Sequence, residues 1–306
     1  MSFPTPHLEK LTATLNNDKL PNRDKSRVAE TIKHYHAWIE ALNAAYKLPT
    51  PADVLKKLVS LLNEYKLHVE LELIFDSEDD FLYRQKGQLK LDNSIIEEFL
   101  PRLIHSSVLP EMEGVDVSAG PTTTFSAVYF ESGLDSPRVG GGMNVRTKDQ
   151  DFAISKKLYL KASHNPDFKD SIIKETYTAY VVAEVKTNLD KTMFQEACAT
   201  AHDVKASVSG AHYYLLCEWL DMTPVSTAAT DIDEVIILRK AKRLSSNIRK
   251  EFDTYAKRKA RRAEYLKLLR ASSIDLGMIE RFLAHINKLL HHEAPVERNV
   301  LQHGYF

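Results

Sequence analysis

Residues 177–196 read Tyr-Thr-Ala-Tyr-Val-Val-Ala-Glu-Val-Lys-Thr-Asn-Leu-Asp-Lys-Thr-Met-Phe-Gln-Glu, and they leave the chain few ways to fold. The first half is apolar and rich in β-branched side chains, the mark of a strand buried within a sheet. It ends in Glu184-Val185-Lys186, a polar break follows, and a helix begins near Asp190. That helix spans about 190–208 and places Phe194, Ala197, Ala201 and Val204 in one apolar stripe. Gly210 closes it. A buried strand running directly into an amphipathic helix points to an α/β fold. Two charges at the end of a buried strand are costly unless compensated. A divalent metal and a phosphate would compensate both, as metal-dependent phosphodiester cleavage requires.

The surrounding sequence fills in the sheet. Residues 122–131 and 151–163 read as strands, and 212–219 and 235–238 as two more. The order over 122–219 is therefore β-β-β-α-β. Upstream, 24–46 places Val28, Ile32, Tyr35, Ile39 and Leu42 on one helical face. Thr50 and Pro51 open a second helix as N-cap and first residue, and it carries Val54, Leu58, Leu61 and Leu62. Residues 67–75 alternate like a strand, with 81–91 expected to pair with it, and a third helix follows Asp92 and Asn93. Gly140, Gly141 and Gly142 read as a flexible loop. No helix follows them, so they do not form a phosphate cradle, and no P-loop is present.

Composition excludes several classes. The chain has 306 residues, 43% hydrophobic and 27% charged, within the normal range for a soluble globular protein. Its apolar runs are too short to span a bilayer, and the N-terminus lacks a signal-peptide pattern. Cys198 and Cys217, the two cysteines, read as buried free thiols. A cytoplasmic protein with no membrane association is expected. The net charge of −1 conceals an asymmetry. Residues 239–270 hold thirteen Lys or Arg against three acids, an excess of +10, so the remainder sums to −11. A basic helix here, with Leu244, Ile248, Phe252 and Tyr255 inward, is expected to contact DNA phosphates without reading bases.

Phosphodiester hydrolysis needs a metal that polarises the phosphate, an attacking water, and a group that orients it. Hard oxygen donors select Mg²⁺, with Mn²⁺ as substitute. Glu184 supplies one carboxylate and the Val185 carbonyl a further candidate ligand. Lys186 faces the same way as Glu184, because strand side chains repeat every two residues, and so can orient the water. The second carboxylate is Asp151, at the start of a strand, or its rival Asp167, preceded by Pro166. Gln195 can support the cluster from the following helix. His202, His212, His291 and His292 have no zinc-ligand spacing. Trp219 and the tyrosines near 213 read as core, and Glu78, Asp79 and Asp80 as a solvated loop.

The strings beginning at Asp151, at Ala183 and at Tyr213 together resemble type II restriction endonucleases of the PD-(D/E)XK superfamily, over about residues 120–240. Within these, the chain most resembles the subunit family that cuts CCTNAGC-like asymmetric sites. The resemblance implies a PD-(D/E)XK nuclease core, a mixed central sheet flanked by helices, with α-helical additions at both ends. It implies Mg²⁺-dependent cleavage of double-stranded DNA at a short site, by a homodimer or a heterodimer with a homologous subunit. Asp151 and Glu184 take the metal-binding acid positions and Lys186 the lysine position. Gln150 stands where the pattern has proline. Residues 1–115 are expected to serve recognition or dimerisation, 116–240 to form the core, and 241–306 to be a basic helical region packed on it. The alternatives are a non-catalytic DNA-binding or assembly subunit, or a nicking or repair nuclease on the same core.

Overall fold

A computed structural model describes residues 3–290 and 297–304. His291 and His292 lie outside them. Five strands form a single sheet in the order β1-β2-β3-β4-β5: β1 (Ser118–Phe130), β2 (Met143–Ala162), β3 (Ile172–Leu189), β4 (His212–Leu220) and β5 (Glu234–Lys242). β1, β2 and β3 pair antiparallel. β3 then pairs parallel with β4, and β4 with β5. The crossover from β3 to β4 is the predicted helix, Lys191–Ser207. The observed order contains the predicted β-β-β-α-β, and the strand expected at 235–238 follows as β5. It is an α/β core with a mixed sheet and helical additions on either side.

Alternation along β3 divides two cores. Val181, Ala183 and Val185 face a large cluster built with the N-terminal helices Pro6–Leu15, Asn22–Ala45 and Pro51–Leu67 and with the C-terminal helix Leu276–Leu290. Val182 faces the opposite cluster, against Phe194, Ala197, Ala201 and Val204 of the crossover helix. Burying Phe194 and Val204 there contributes about 1.5–3 kcal/mol each. Thr50 caps its helix by accepting from the Asp53 amide at 3.1 Å, with Pro51 first in the helix. No helix among the described residues is long and apolar enough to cross a membrane.

Two predicted strands are helical instead. Residues 67–75 continue the preceding helix as a π-helix, His68–Phe75. Their alternation arises because Val69, Leu73 and Ile74 enter the main core while Leu71 and Phe75 enter a third cluster with Phe252 and Leu269. Glu70 between them is buried against Arg239 at 2.6 Å and Lys66 at 3.3 Å. Residues 81–91 form a helix, Phe81–Leu89, rather than a partner strand. The glycine triplet is not a flexible loop. Gly140, Gly141 and Gly142 are buried with φ of 56°, 68° and 64°. A Cβ on Gly142 would collide with the Glu131 carbonyl, and one on Gly140 with the Ala162 carbonyl, so the turn into β2 requires glycine.

The basic segment is not one helix. β5 runs to Lys242, and three short helices follow: Ser246–Lys250, Tyr255–Ala260 and Arg262–Ala271. Phe252 interrupts them by turning inward onto Phe75, ring centroids 5.4 Å apart. Arg258 is fully buried and donates to the carbonyls of Phe75 at 2.7 Å and Ser77 at 2.6 Å. Ile248, expected inward, is exposed.

Candidate active site

The site forms where β3 lies between β2 and β4. Phe152 pairs with Ala183, so Asp151 lies level with the Glu184 end of β3. It sits in the middle of β2 and not at the start of a strand, because residues 143–150 already pair with β1. The parallel partner Tyr213 sits opposite Val182, on the same sheet face as Glu184. Sheet register therefore brings together residues more than thirty positions apart in sequence.

Asp151 Oδ2 accepts a hydrogen bond from the Val185 amide at 2.9 Å. Lys186 Nζ lies 2.7 Å from Glu184 Oε1. The buried Tyr213 hydroxyl donates to the other Glu184 oxygen. The Glu184 and Lys186 side chains keep 17% and 27% of their surface exposed, enough to meet a ligand. The ordinary behaviour of Asp151, Lys186 and Tyr213 is altered. Burial raises the Asp151 carboxyl above its usual range, and the Glu184 charge adds to this, against the Val185 amide, Lys90 and Lys186. Burial alone would lower Lys186. The Glu184 bond and the charges of Glu184, Asp151 and Glu196 outweigh it and raise the ammonium. Burial, then the Glu184 carboxylate, raises the Tyr213 phenol. Lys186 thus stays protonated and Tyr213 stays a donor.

Asp151, Val185 and Lys186 open into a cleft of about 660 Å³. The cleft lies at the carboxyl ends of the parallel strands β3 and β4, the usual ligand position in such sheets. Its walls come from the N-terminal helix Phe81–Leu89 with its cap, including Lys86 and Lys90, from Trp219 of β4, and from the C-terminal basic segment, including Arg249.

Not every predicted residue arrives. Asp167 lies in the turn beyond Ala162, and Ala162 is itself ten residues along the β2–β3 hairpin from the Phe152–Ala183 pair. At 3.3 Å per residue that end of the hairpin is about 33 Å away. Asp167 pairs instead with Lys169 at 3.1 Å. Gln195 is exposed, and Met193 from its helix lines the cleft instead. Gln150 is buried and donates to Thr124 Oγ1 at 3.2 Å. His202 and His212 pair with Asp231 and Asp233. Cys217 is buried and Cys198 half-buried, both free thiols.

Three participants escaped the sequence reading. Tyr213 reads as core and is core, yet its hydroxyl holds Glu184; its alternation with Leu215 and Cys217 is the signal for its face. Glu97 is buried, bonded to Asn93 at 2.7 Å, and held above its usual range by burial and then by the Asp151 charge. Lys90 shares the cleft. Neither carries a local signal, because both come from helices far away in sequence. Among the described residues no three His, Cys, Asp or Glu side chains converge to cage a metal on their own.

Residues 88–306 match the family described as Bpu10I restriction endonuclease. Among solved structures the chain is similar to one titled native BbvCI A2B2 tetramer at low resolution, with 23% identity and a TM-score of 0.59. The match covers 81% of this chain and 88% of that one. No curated protein sequence gives a significant match. With nearly three quarters of its length matched by the family model, the chain belongs to the Bpu10I restriction endonucleases, type II site-specific enzymes.

Proposed function

We propose that this chain hydrolyses phosphodiester bonds of double-stranded DNA at a short specific sequence, with Mg²⁺ as its ion and Mn²⁺ as substitute. Asp151, Glu184 and the Val185 carbonyl hold the ion, and Lys186 orients the attacking water. The observation that carries this is the meeting of Asp151 with the Glu184–Lys186 pair at the mouth of the cleft. The donors fit the ion in kind: two carboxylates and a carbonyl are hard oxygens. An Mg²⁺ ion bound through one or two carboxylates keeps several of its waters. The raised Asp151 carboxyl beside Glu184 is relieved when a cation binds.

The bound ion supplies Lewis-acid polarisation of the phosphate and acidifies water. The chain supplies positions and charges. The Val185 amide fixes Asp151, and Tyr213 fixes Glu184. Lys186, kept protonated, donates to water and to phosphate oxygen and does not serve as the base. Because one such site cuts one strand, a double-strand break needs a second site. A homologous subunit or a second copy provides it.

The test is plasmid cleavage by the purified protein, with its partner subunit where one exists, in Mg²⁺. Cleavage should depend on the ion, and Lys186→Ala should reduce it at least about a hundredfold while DNA binding persists. Cleavage by Lys186→Ala or Glu184→Ala at the wild-type rate would show that the site lies elsewhere.

A further inference from the structure

The basic segment was expected to hold DNA through its +10 excess, but the fold uses much of that charge internally. Seven of its thirteen cations are paired with carboxylates: Arg239, Lys240, Arg243, Lys257, Arg258, Arg261 and Arg262. The cations available for a polyanion must therefore be found by position rather than by count.

The cleft beside Asp151 and Lys186 is the place to look. Six cations line it. Lys186 belongs to the site itself. Arg243 is paired with Asp221 at 2.7 Å, and Arg84 with Asp80 at 3.6 Å. Lys86 is half-buried and held over the Tyr83 ring, 5.6 Å from its centre. Two remain, Lys90 and Arg249, each with no carboxylate within 4 Å among the described residues.

Both are held in unusual ways. Lys90 ends its helix with φ of 52°, a conformation costly for a residue bearing a Cβ. Its amide bonds to the Gly87 carbonyl at 3.3 Å, and its carbonyl accepts from Ser94 Oγ at 2.6 Å. The backbone is pinned on both sides, while the side chain stays exposed in the cleft. Arg249 enters the same cleft from the opposite end of the sequence, and its Nε is shielded from solvent without a hydrogen-bond partner. Unsatisfied buried donors are rare in folded proteins. A guanidinium so placed is suited to an incoming oxyanion.

We propose that Lys90 and Arg249 are the two cations that grip the DNA backbone beside the scissile phosphate. The proposal rests on the nuclease reading above. One residue comes from the N-terminal helical region and one from the C-terminal basic segment. The grip therefore ties both additions to the core when DNA is bound. As contacts to phosphate they hold every sequence alike and read no bases.

The experiment measures binding of the full protein, with its partner subunit if it has one, to a duplex without divalent ion, across a KCl series. Lys90→Ala and Arg249→Ala should each reduce the slope of log affinity against log salt by about one, on cognate and random duplexes alike. Near 0.15 M salt each should cost roughly fivefold in affinity. Lys259→Ala and Lys267→Ala, exposed cations of the same segment outside the cleft, should leave slope and affinity unchanged. Lys90→Gln and Arg249→Gln repeat the test should an alanine variant fold poorly, and Lys90→Arg should restore the wild-type slope. Unchanged slopes in both cleft variants, or a slope carried by Lys259 and Lys267, would overturn the grip. If Lys186→Ala still abolishes cleavage in that case, the nuclease reading survives without it. A wild-type protein that neither binds nor cuts duplex DNA would remove both.

Discussion

Replacing Arg239 with Met probes the charged floor on which the cleft stands. Arg239 is buried on β5. Its Nε donates to Glu218 Oε2 at 2.8 Å, one terminal nitrogen to Glu70 at 2.6 Å, and the other to the Ser272 carbonyl at 2.8 Å. Its guanidinium lies 4.8 Å from the Trp219 ring centre. Lys66 completes the cluster, 2.8 Å from Glu218 and 3.3 Å from Glu70. Two cations and two acids balance. Burial alone would raise Glu70, but the charges of Arg239 and Lys66 hold it below its usual range. Without Arg239, one lysine serves two buried carboxylates. Breaking such a cluster costs about 3–5 kcal/mol, against a total stability on the order of 5–15 kcal/mol. Urea unfolding followed by circular dichroism reads the loss directly. The charge argument makes a second demand. Arg239→Met with Glu70→Gln leaves the neutral Lys66–Glu218 pair, so the double variant should recover roughly half of the loss. A single variant that loses under about 1 kcal/mol, or a double variant no better than the single, would refute the electrostatic account.

His7 predicts a stability that depends on pH. It is fully buried, bonded to Ser94 and Tyr65 at 2.9 Å, and burial, then the Lys66 charge, lowers it to about 3. The unfolded chain binds a proton below about 6.5 and the folded chain does not, so stability is complete above that pH and falls as acid is added. Between pH 6.5 and pH 5 the loss is about 2 kcal/mol, and His7→Gln should flatten that part of the pH profile; an unaltered profile counts against it. Asp151→Asn should lower plasmid cleavage by roughly a hundredfold or more, while Asp167→Asn cleaves normally, because Asp167 lies at the far end of the hairpin. Tyr213→Phe should reduce cleavage by about ten- to a hundredfold without loss of fold, since it deletes only the bond to Glu184. Millimolar Mg²⁺ should raise the melting temperature of the wild type and leave that of Asp151→Asn unchanged.

Strands β1 to β5 and the crossover helix were legible because their patterns are local. An apolar run, a capping Asp190 and a helical stripe each depend on neighbours within a turn or two. Glu184 and Lys186 were legible for the same reason: a two-residue spacing places them on one face of one strand. Residues 67–75 misled because alternation has two causes. Here the two partners are separate apolar clusters around a helix, and burial with the Glu70 ion pairs overrode the strand pattern. The basic segment misled because composition counts charges without showing where they are spent.

By itself, then, the sequence determined the kind of core, the strand that carries the proposed site, and two of the residues proposed for it. Only the tertiary structure chose Asp151 over Asp167 for this strand end, joined Tyr213 to Glu184, and placed Lys90 and Arg249 in one cleft. The physical reason is range. Propensity and periodicity act between residues close along the chain. A site is assembled by sheet register and helix packing, and these join residues as distant as Lys90 and Arg249.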